Sequence, residues 1–233
     1  MKRLLPFIII IVVLAVALGA YSYMKRSAVT SSPVPPSLTV TGPSGAATPA
    51  AANVAPGAQP PHIRGSENAS VTLEEFGDFE CPPCGLLHPV IKGVENDYGP
   101  RLRVIFREFP LTPNHPHALA AARAAEAAGL QGMFFEMHDQ LYQNQKAWKD
   151  LFDVRPVYEG YAKSIGLDVE RWKRDQSSEA VEQRIFLDGN RAHSLGVKGT
   201  PTVYINGTEI PFEQLTPEGL RAAIDKAIGG AAH

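Results

Sequence analysis

The chain has 233 residues, room for one large domain or two small ones, with 44% hydrophobic and 20% charged residues and a formal net charge of −2. All 24 acidic side chains lie at or beyond Glu67, so the last 171 residues set 18 basic groups against them, a local net charge of −6. That balance argues against a phosphate-binding surface, and no nucleic-acid partner is expected. The two cysteines in the whole chain, Cys81 and Cys84, exclude a disulfide-stapled mini-domain and an all-cysteine metal site within one chain.

No charged residue occurs from Leu4 to Met24, a run of 21 positions rich in Ile, Val, Leu and Ala. A helix of that length crosses a hydrocarbon core of roughly 30 Å. Lys2, Arg3, Lys25 and Arg26 bracket it, and Tyr21 and Tyr23 suit a membrane interface. Residues 1–26 are therefore expected to be an N-terminal transmembrane anchor, or else a signal sequence cleaved near Ala17 or Gly19. Either reading exports the rest. Residues 27–62 hold eight of the 20 prolines and, up to Pro61, neither charge nor aromatic ring. Such a stretch predicts a disordered linker, because it has too little apolar surface to bury.

The folded part is expected over 63–233. Val71 to Phe79 reads as a strand running into Cys81, and Pro82 to Tyr98 as a helix with Leu86, Leu87, Val90, Ile91, Val94 and Tyr98 on one face, kinked at Pro89 and ended by Gly99-Pro100. Leu102 to Phe109 is a second strand, so the unit is strand, helix, strand, as in a parallel sheet. About 80 residues of helical pattern follow, an insertion over roughly 111–195, in which Asp168 can cap a short helix and Ser178 or Glu179 starts a long one reaching Leu195. Thr202 to Ile205 and Thr208 to Ile210 are strands joined by an Asn206-Gly207 turn, and Thr216-Pro217 opens a last helix. The fold class is α/β.

Cys81-Pro82-Pro83-Cys84 falls where a strand meets a helix. Cys81 then occupies the helix N-cap, where the dipole favours a thiolate, and Cys84 sits one turn inside. This separates an attacking thiol from a resolving one. Pro82 and Pro83 bring no N–H groups, and Asp78 and Glu80 are negative neighbours, so Cys81 should be activated but less acidic than the most oxidising dithiols. A metal-binding module using both thiols with His88, His115 or His117 is the rival reading. Phe134, Phe135, Met133 and Met137 read as core, with a peptide groove as the alternative. Asn68-Ala69-Ser70 and Asn206-Gly207-Thr208 match the glycosylation sequon.

The blocks GSENASVTLEEFGDFECPPC, FREFPLTPNHPHALAAARAAEAA and GVKGTPTVYINGTEI, in that order, resemble the DsbA-like branch of the thioredoxin superfamily. The resemblance covers Gly65 to about Ile228. It implies a thioredoxin fold carrying an inserted helical domain and an exported thiol:disulfide oxidoreductase. It makes Cys81 the attacking cysteine and Cys84 its buried partner. Glu75 becomes the carboxylate that moves a proton to or from Cys84, although Glu74 and Glu75 taken alone could both be surface charges. Thr200-Pro201 becomes the cis-proline loop that receives substrate beside the dithiol. The implied partners are exported proteins with cysteines and a membrane redox partner. No cofactor and no resident metal are implied. The leading expectation is an oxidase that donates its disulfide to exported proteins, with a reductase or isomerase at the same site and a non-enzymatic metal-binding or interaction module of thioredoxin fold as the alternatives. Nothing resembles the dimerisation domain of typical disulfide isomerases, and a monomer is expected.

Overall fold

A computed structural model describes residues 54–230. The expected anchor and most of the expected linker lie outside these residues. Among the described residues no helix is long and apolar enough to cross a membrane.

Five strands form one mixed sheet: β1 (His62–Gly65), β2 (Val71–Gly77), β3 (Leu102–Glu108), β4 (Thr202–Ile205) and β5 (Thr208–Ile210), in the order β1-β3-β2-β4-β5. Only β2 and β3 run parallel, joined by helix α1 (Pro82–Tyr98); the remaining pairings are antiparallel. This is the thioredoxin arrangement. Pro89 lies inside α1 without ending it, and Gly99 follows as its C-cap. Asn206 and Gly207 both take positive φ, 46° and 79°, which a tight primed hairpin turn requires.

Strand alternation sorts the side chains into two layers. Val71, Leu73, Leu102 and Val104 face α1 and the C-terminal helix α8 (Pro217–Gly230), where Leu87, Ile91, Val94, Leu220 and Ile224 complete a buried core. On the opposite face Phe76 and Tyr204 bury against Ala192 and Val197. Those last two belong to or follow helix α7 (Glu179–Leu195), which covers this face of the sheet while its Val181 and Ile185 pack into the helical block.

The inserted block comprises α2 (Ala118–Gly129), α3 (Phe134–Gln143), α4 (Gln145–Trp148), α5 (Arg155–Ser164) and α6 (Val169–Asp175). Its core takes in Phe134, Met137, Leu141, Trp148, Tyr158 and Trp172, with Met133 and Phe135 packed against it. The core reading of the Phe/Met cluster is therefore the observed one. Asp168 and Ser178 cap α6 and α7 through the backbone N–H groups of Arg171 and Val181.

Two features depart from expectation. β1 was not anticipated, since four residues, HIRG, carry no period; they pair antiparallel with β3 at the sheet edge. The end of the expected linker is also ordered. Arg107 donates to the Pro56 and Ala58 carbonyls, Arg191 to Ala55 and Arg184 to Pro60, while Ala58 N–H donates to Asp188. A segment without charges of its own is held by the charges it finds on the sheet and on α7.

Candidate active site

β2 ends at Gly77, and a short turn delivers Cys81 to the N-cap of α1 with φ −66° and ψ 118°. The turn is fixed by Cys81 N–H donating to the Asp78 carbonyl (3.1 Å) and by Gln145. The buried Gln145 amide donates to the carbonyls of Phe79 (2.7 Å) and Cys81 (2.8 Å). Gly85 allows this approach, because a Cβ there would lie 2.6 Å from the Gln145 amide oxygen. Asp78 accepts from the Glu80 and Leu111 N–H groups and lies 2.7 Å from His115 Nδ1, while Glu80 accepts from His117 N–H.

Both thiols are free, and they differ in surroundings. Cys81 is 5% exposed and Cys84 fully buried. Cys81 Sγ lies 3.3 Å from the Thr200 carbonyl oxygen, at the cis Thr200–Pro201 peptide. The Cys84 thiol, donating to Cys81, is the largest influence drawing the Cys81 pKa down to about 6. Burial opposes this, the Thr200 hydroxyl and the Cys84 N–H assist, and the Asp78 carboxylate opposes. This is the intermediate acidity expected where two prolines replace helix amides. Cys84 moves the other way: burial first, then its bond to Cys81 and the charges of Glu75 and Cys81, push its thiol well above the ordinary range.

Glu75 lies beneath this pair, 3% exposed, with Oε1 unpartnered. Burial pushes it up to about 8; Arg64 opposes, and Glu95 and Cys81 add to the rise. Its neighbour Glu74 points to the other layer. Burial acts to raise Glu74 as well, but hydrogen bonds from Arg191 and Arg107 outweigh it and hold the carboxylate below its usual range. Neither glutamate is a surface charge.

The three histidines considered as metal ligands have other partners. His88 Nε2 lies 3.0 Å from Asp139, His115 sits on Asp78, and His117 Nε2 lies 2.7 Å from the Leu151 carbonyl. His88, His138 and Asp139 bring three donor atoms within 4.8 Å of one another. Both Asp139 carboxylate oxygens there already accept from Arg64 Nη1 (2.9 and 2.8 Å), with Lys92 at 3.5 Å, so cationic side chains hold the place a metal would take. Burial draws His138 down to about 3, a neutral imidazole.

Two clefts flank the dithiol. One of about 310 Å³ lies between Pro83, Leu86, Pro201 and Phe212, with Leu86 and Phe212 largely exposed. The other, about 710 Å³, runs past Pro82, His88, Tyr142 and Lys146. The sequence reading missed Gln145 and Tyr142. The signal was polar residues at core spacing on an apolar helical face: His138, Tyr142 and Gln145 stand among Phe134, Met137 and Leu141.

A thioredoxin fold with a paired, oppositely biased dithiol at a helix N-terminus defines a class of thiol–disulfide exchange proteins. The thioredoxin family model matches residues 58–226, and the chain belongs to that family. Among solved structures, a thioredoxin-like oxidoreductase from Silicibacter pomeroyi DSS-3 is 28% identical, with a TM-score of 0.61 over 72% of this chain and 92% of that one. The thiol-disulfide exchange protein α-DsbA2 from Wolbachia pipientis is 26% identical, with a TM-score of 0.59 over 71% and 86% of the two chains. The chain is DsbA-like, as the three sequence blocks implied, and the second of these neighbours carries the DsbA name. A Na(+)/H(+) antiporter, NhaA 1 of Salinispora arenicola (strain CNS-205), is 39% identical over 170 residues, 72% of this chain. The chain spans about a quarter, 25%, of the length of that curated relative.

Proposed function

We propose that this chain is an exported protein-disulfide oxidoreductase that oxidises cysteine pairs in other exported proteins and is reoxidised by a membrane redox partner. The observation that carries the reading is the opposite bias of the two thiols, Cys81 drawn down to about 6 and Cys84 pushed well up. A stabilised thiolate at Cys81 favours the reduced enzyme over its disulfide, which makes the disulfide an oxidant.

In the proposed cycle a substrate thiolate attacks Cys81 Sγ of the enzyme disulfide. The Cys81–Cys84 bond breaks, and Cys84 leaves as a thiolate that takes the proton held on Glu75. The second substrate thiolate then attacks the substrate sulfur of the mixed disulfide and expels Cys81 as a thiolate. Thr200 and Pro201 border the Cys81 sulfur, and an extended peptide laid along the Thr200 backbone would present its cysteine to it. The antiporter relatives share only this region, and ion transport is not part of the proposal.

Replacing Cys84 with Ser tests the chemistry. The variant should accumulate mixed disulfides through Cys81, released by reductant, while Cys81→Ser yields none; a C84S chain that captures no cysteine-bearing protein would remove the proposal. Thiol trapping in cells reads the direction, with oxidised Cys81 and Cys84 expected and a mostly reduced pair favouring a reductase or isomerase.

A further inference from the structure

Apart from the Tyr158 hydroxyl and Thr200 Oγ1, the buried polar atoms without partners gather at one end of the sheet. Among the described residues they include Glu75 Oε1, both carboxyl oxygens of Glu108, Glu126 Oε1, the Tyr142 hydroxyl and Arg184 Nη2. Such atoms are uncommon in a folded interior, and several in one neighbourhood point to a shared task.

Their order follows from the sheet. In the parallel register Glu75 pairs with Phe106 and Gly77 with Glu108, so side chains at 75, 77, 106 and 108 share one face. The Phe106 ring and the Tyr142 hydroxyl both lie over Gly77: a Cβ on that glycine would meet the ring first and the hydroxyl at 2.8 Å. The hydroxyl therefore stands between Glu75, two residues back on the same strand, and Glu108, across on β3. A side chain at 77 would have to displace both the Phe106 ring and the hydroxyl. Beyond Glu108 lies Glu126, whose Oε2 is 2.9 Å from His62 Nε2 and accepts from Arg184 Nε at 2.6 Å. His62 and Arg184 are each 16% exposed, so this end of the row reaches solvent.

We infer that Glu108 is a second buried proton store for the dithiol, passing its proton to Glu75 through the Tyr142 hydroxyl. The inference rests on the exchange chemistry proposed above. When Cys84 leaves as a thiolate it takes the Glu75 proton, and Glu75 becomes a carboxylate. Tyr142 gives its hydroxyl proton to Glu75 and accepts one from the Glu108 carboxyl, ending as it began. One proton has moved from Glu108 to Glu75, and Glu108 recovers its own from the Glu126–His62 side. No hydrogen bond joins Tyr142 to either carboxyl in this structure, so transfer requires a carboxyl to swing onto the hydroxyl. Charged and titratable groups around Glu108 fit the task. Burial raises its carboxyl well above the usual range, Glu126, Asp188 and Asp78 reinforce this, and Arg184 opposes it and steadies the carboxylate left behind. The Tyr142 hydroxyl is itself raised, by burial first and then by the charges of Cys84, Glu75, Glu108 and Asp78, which places it among all of them.

The test uses the full chain and its exchange with a small dithiol from pH 6 to 9. Glu108→Gln and Tyr142→Phe keep shape and volume, and thermal unfolding verifies that each is folded; either one carries the test if the other is not. Each should slow exchange by about tenfold while leaving the equilibrium reduction potential at pH 7 unchanged. Since Glu108 acts through Glu75, the double variant Glu75→Gln/Glu108→Gln should be no slower than Glu75→Gln alone. Wild-type rates in E108Q and Y142F, or losses in the double variant that multiply, would overturn the inference and leave the oxidoreductase reading intact. A wild-type chain that exchanges no disulfide overturns both.

Discussion

Cys81 owes its acidity chiefly to another side chain. Pro82 and Pro83 bring no N–H to the first turn, Cys81 makes no capping bond, and the Cys84 thiol supplies the leading stabilisation instead. The burial that makes Cys84 a poor thiolate also pushes Glu75 up to about 8. This has a measurable consequence for stability. Below about pH 4.5, the ordinary carboxyl value, Glu75 is protonated in folded and unfolded chains alike. As pH rises from there toward 8 the unfolded chain releases the proton and the folded chain keeps it. Folding is therefore weakened across this window, by up to about 1.4 kcal/mol for each pH unit. Glu75→Gln removes the slope. In urea unfolding the variant should be the more stable chain at pH 8, with the advantage shrinking toward pH 4.5. An advantage that stays constant with pH would show that Glu75 does not titrate as its burial dictates.

At the scale of elements, the dithiol turn depends on a short helix of the inserted block. Gln145, the first residue of α4, holds the Phe79 and Cys81 carbonyls. Gln145→Ala leaves both buried carbonyls without that donor and should cost about 1–3 kcal/mol, read as a lowered melting temperature. The elements legible beforehand were those with a local signature: the β2–α1–β3 unit from its periodicity, the caps at Asp168 and Ser178, and the Asn206-Gly207 hairpin. The cysteine pair was legible because position and spacing alone carry its chemistry. What escaped depends on distant partners. β1 exists only because β3 has a free edge, and Gln145 is an ordinary polar residue until the turn lies beside it. Glu108 looks like a strand-end surface charge until α2 and α7 close over it. The choice between Glu74 and Glu75 needed the sheet, since both carry the same side chain and only the layer each faces tells them apart.

The whole molecule joins its halves through buried charge. Arg107 donates to Glu74 (2.7 Å) and Asp188 (2.9 Å), tying β2, β3 and α7, and the same arginine secures the N-terminal segment at Ala58. Asp188→Ala takes this acceptor from the Ala58 and Glu108 N–H groups and leaves Arg107 with Glu74 as its one carboxylate partner. A loss of about 3–5 kcal/mol is expected in denaturant unfolding, because one member of a buried ion pair is removed. A loss within the range of ordinary surface substitutions would mean that Arg107 finds solvent instead. The adjacent glutamates of β2 extend this logic from charge to chain length. Their chemistry is identical, so side-chain alternation acts as their address: one goes to the arginines, the other to the thiols. Inserting or deleting one residue at that point of the strand would redirect the mail, giving the thiols a carboxylate made for ion pairing, or the arginines none. This strand should therefore accept a change of residue more readily than a change of length.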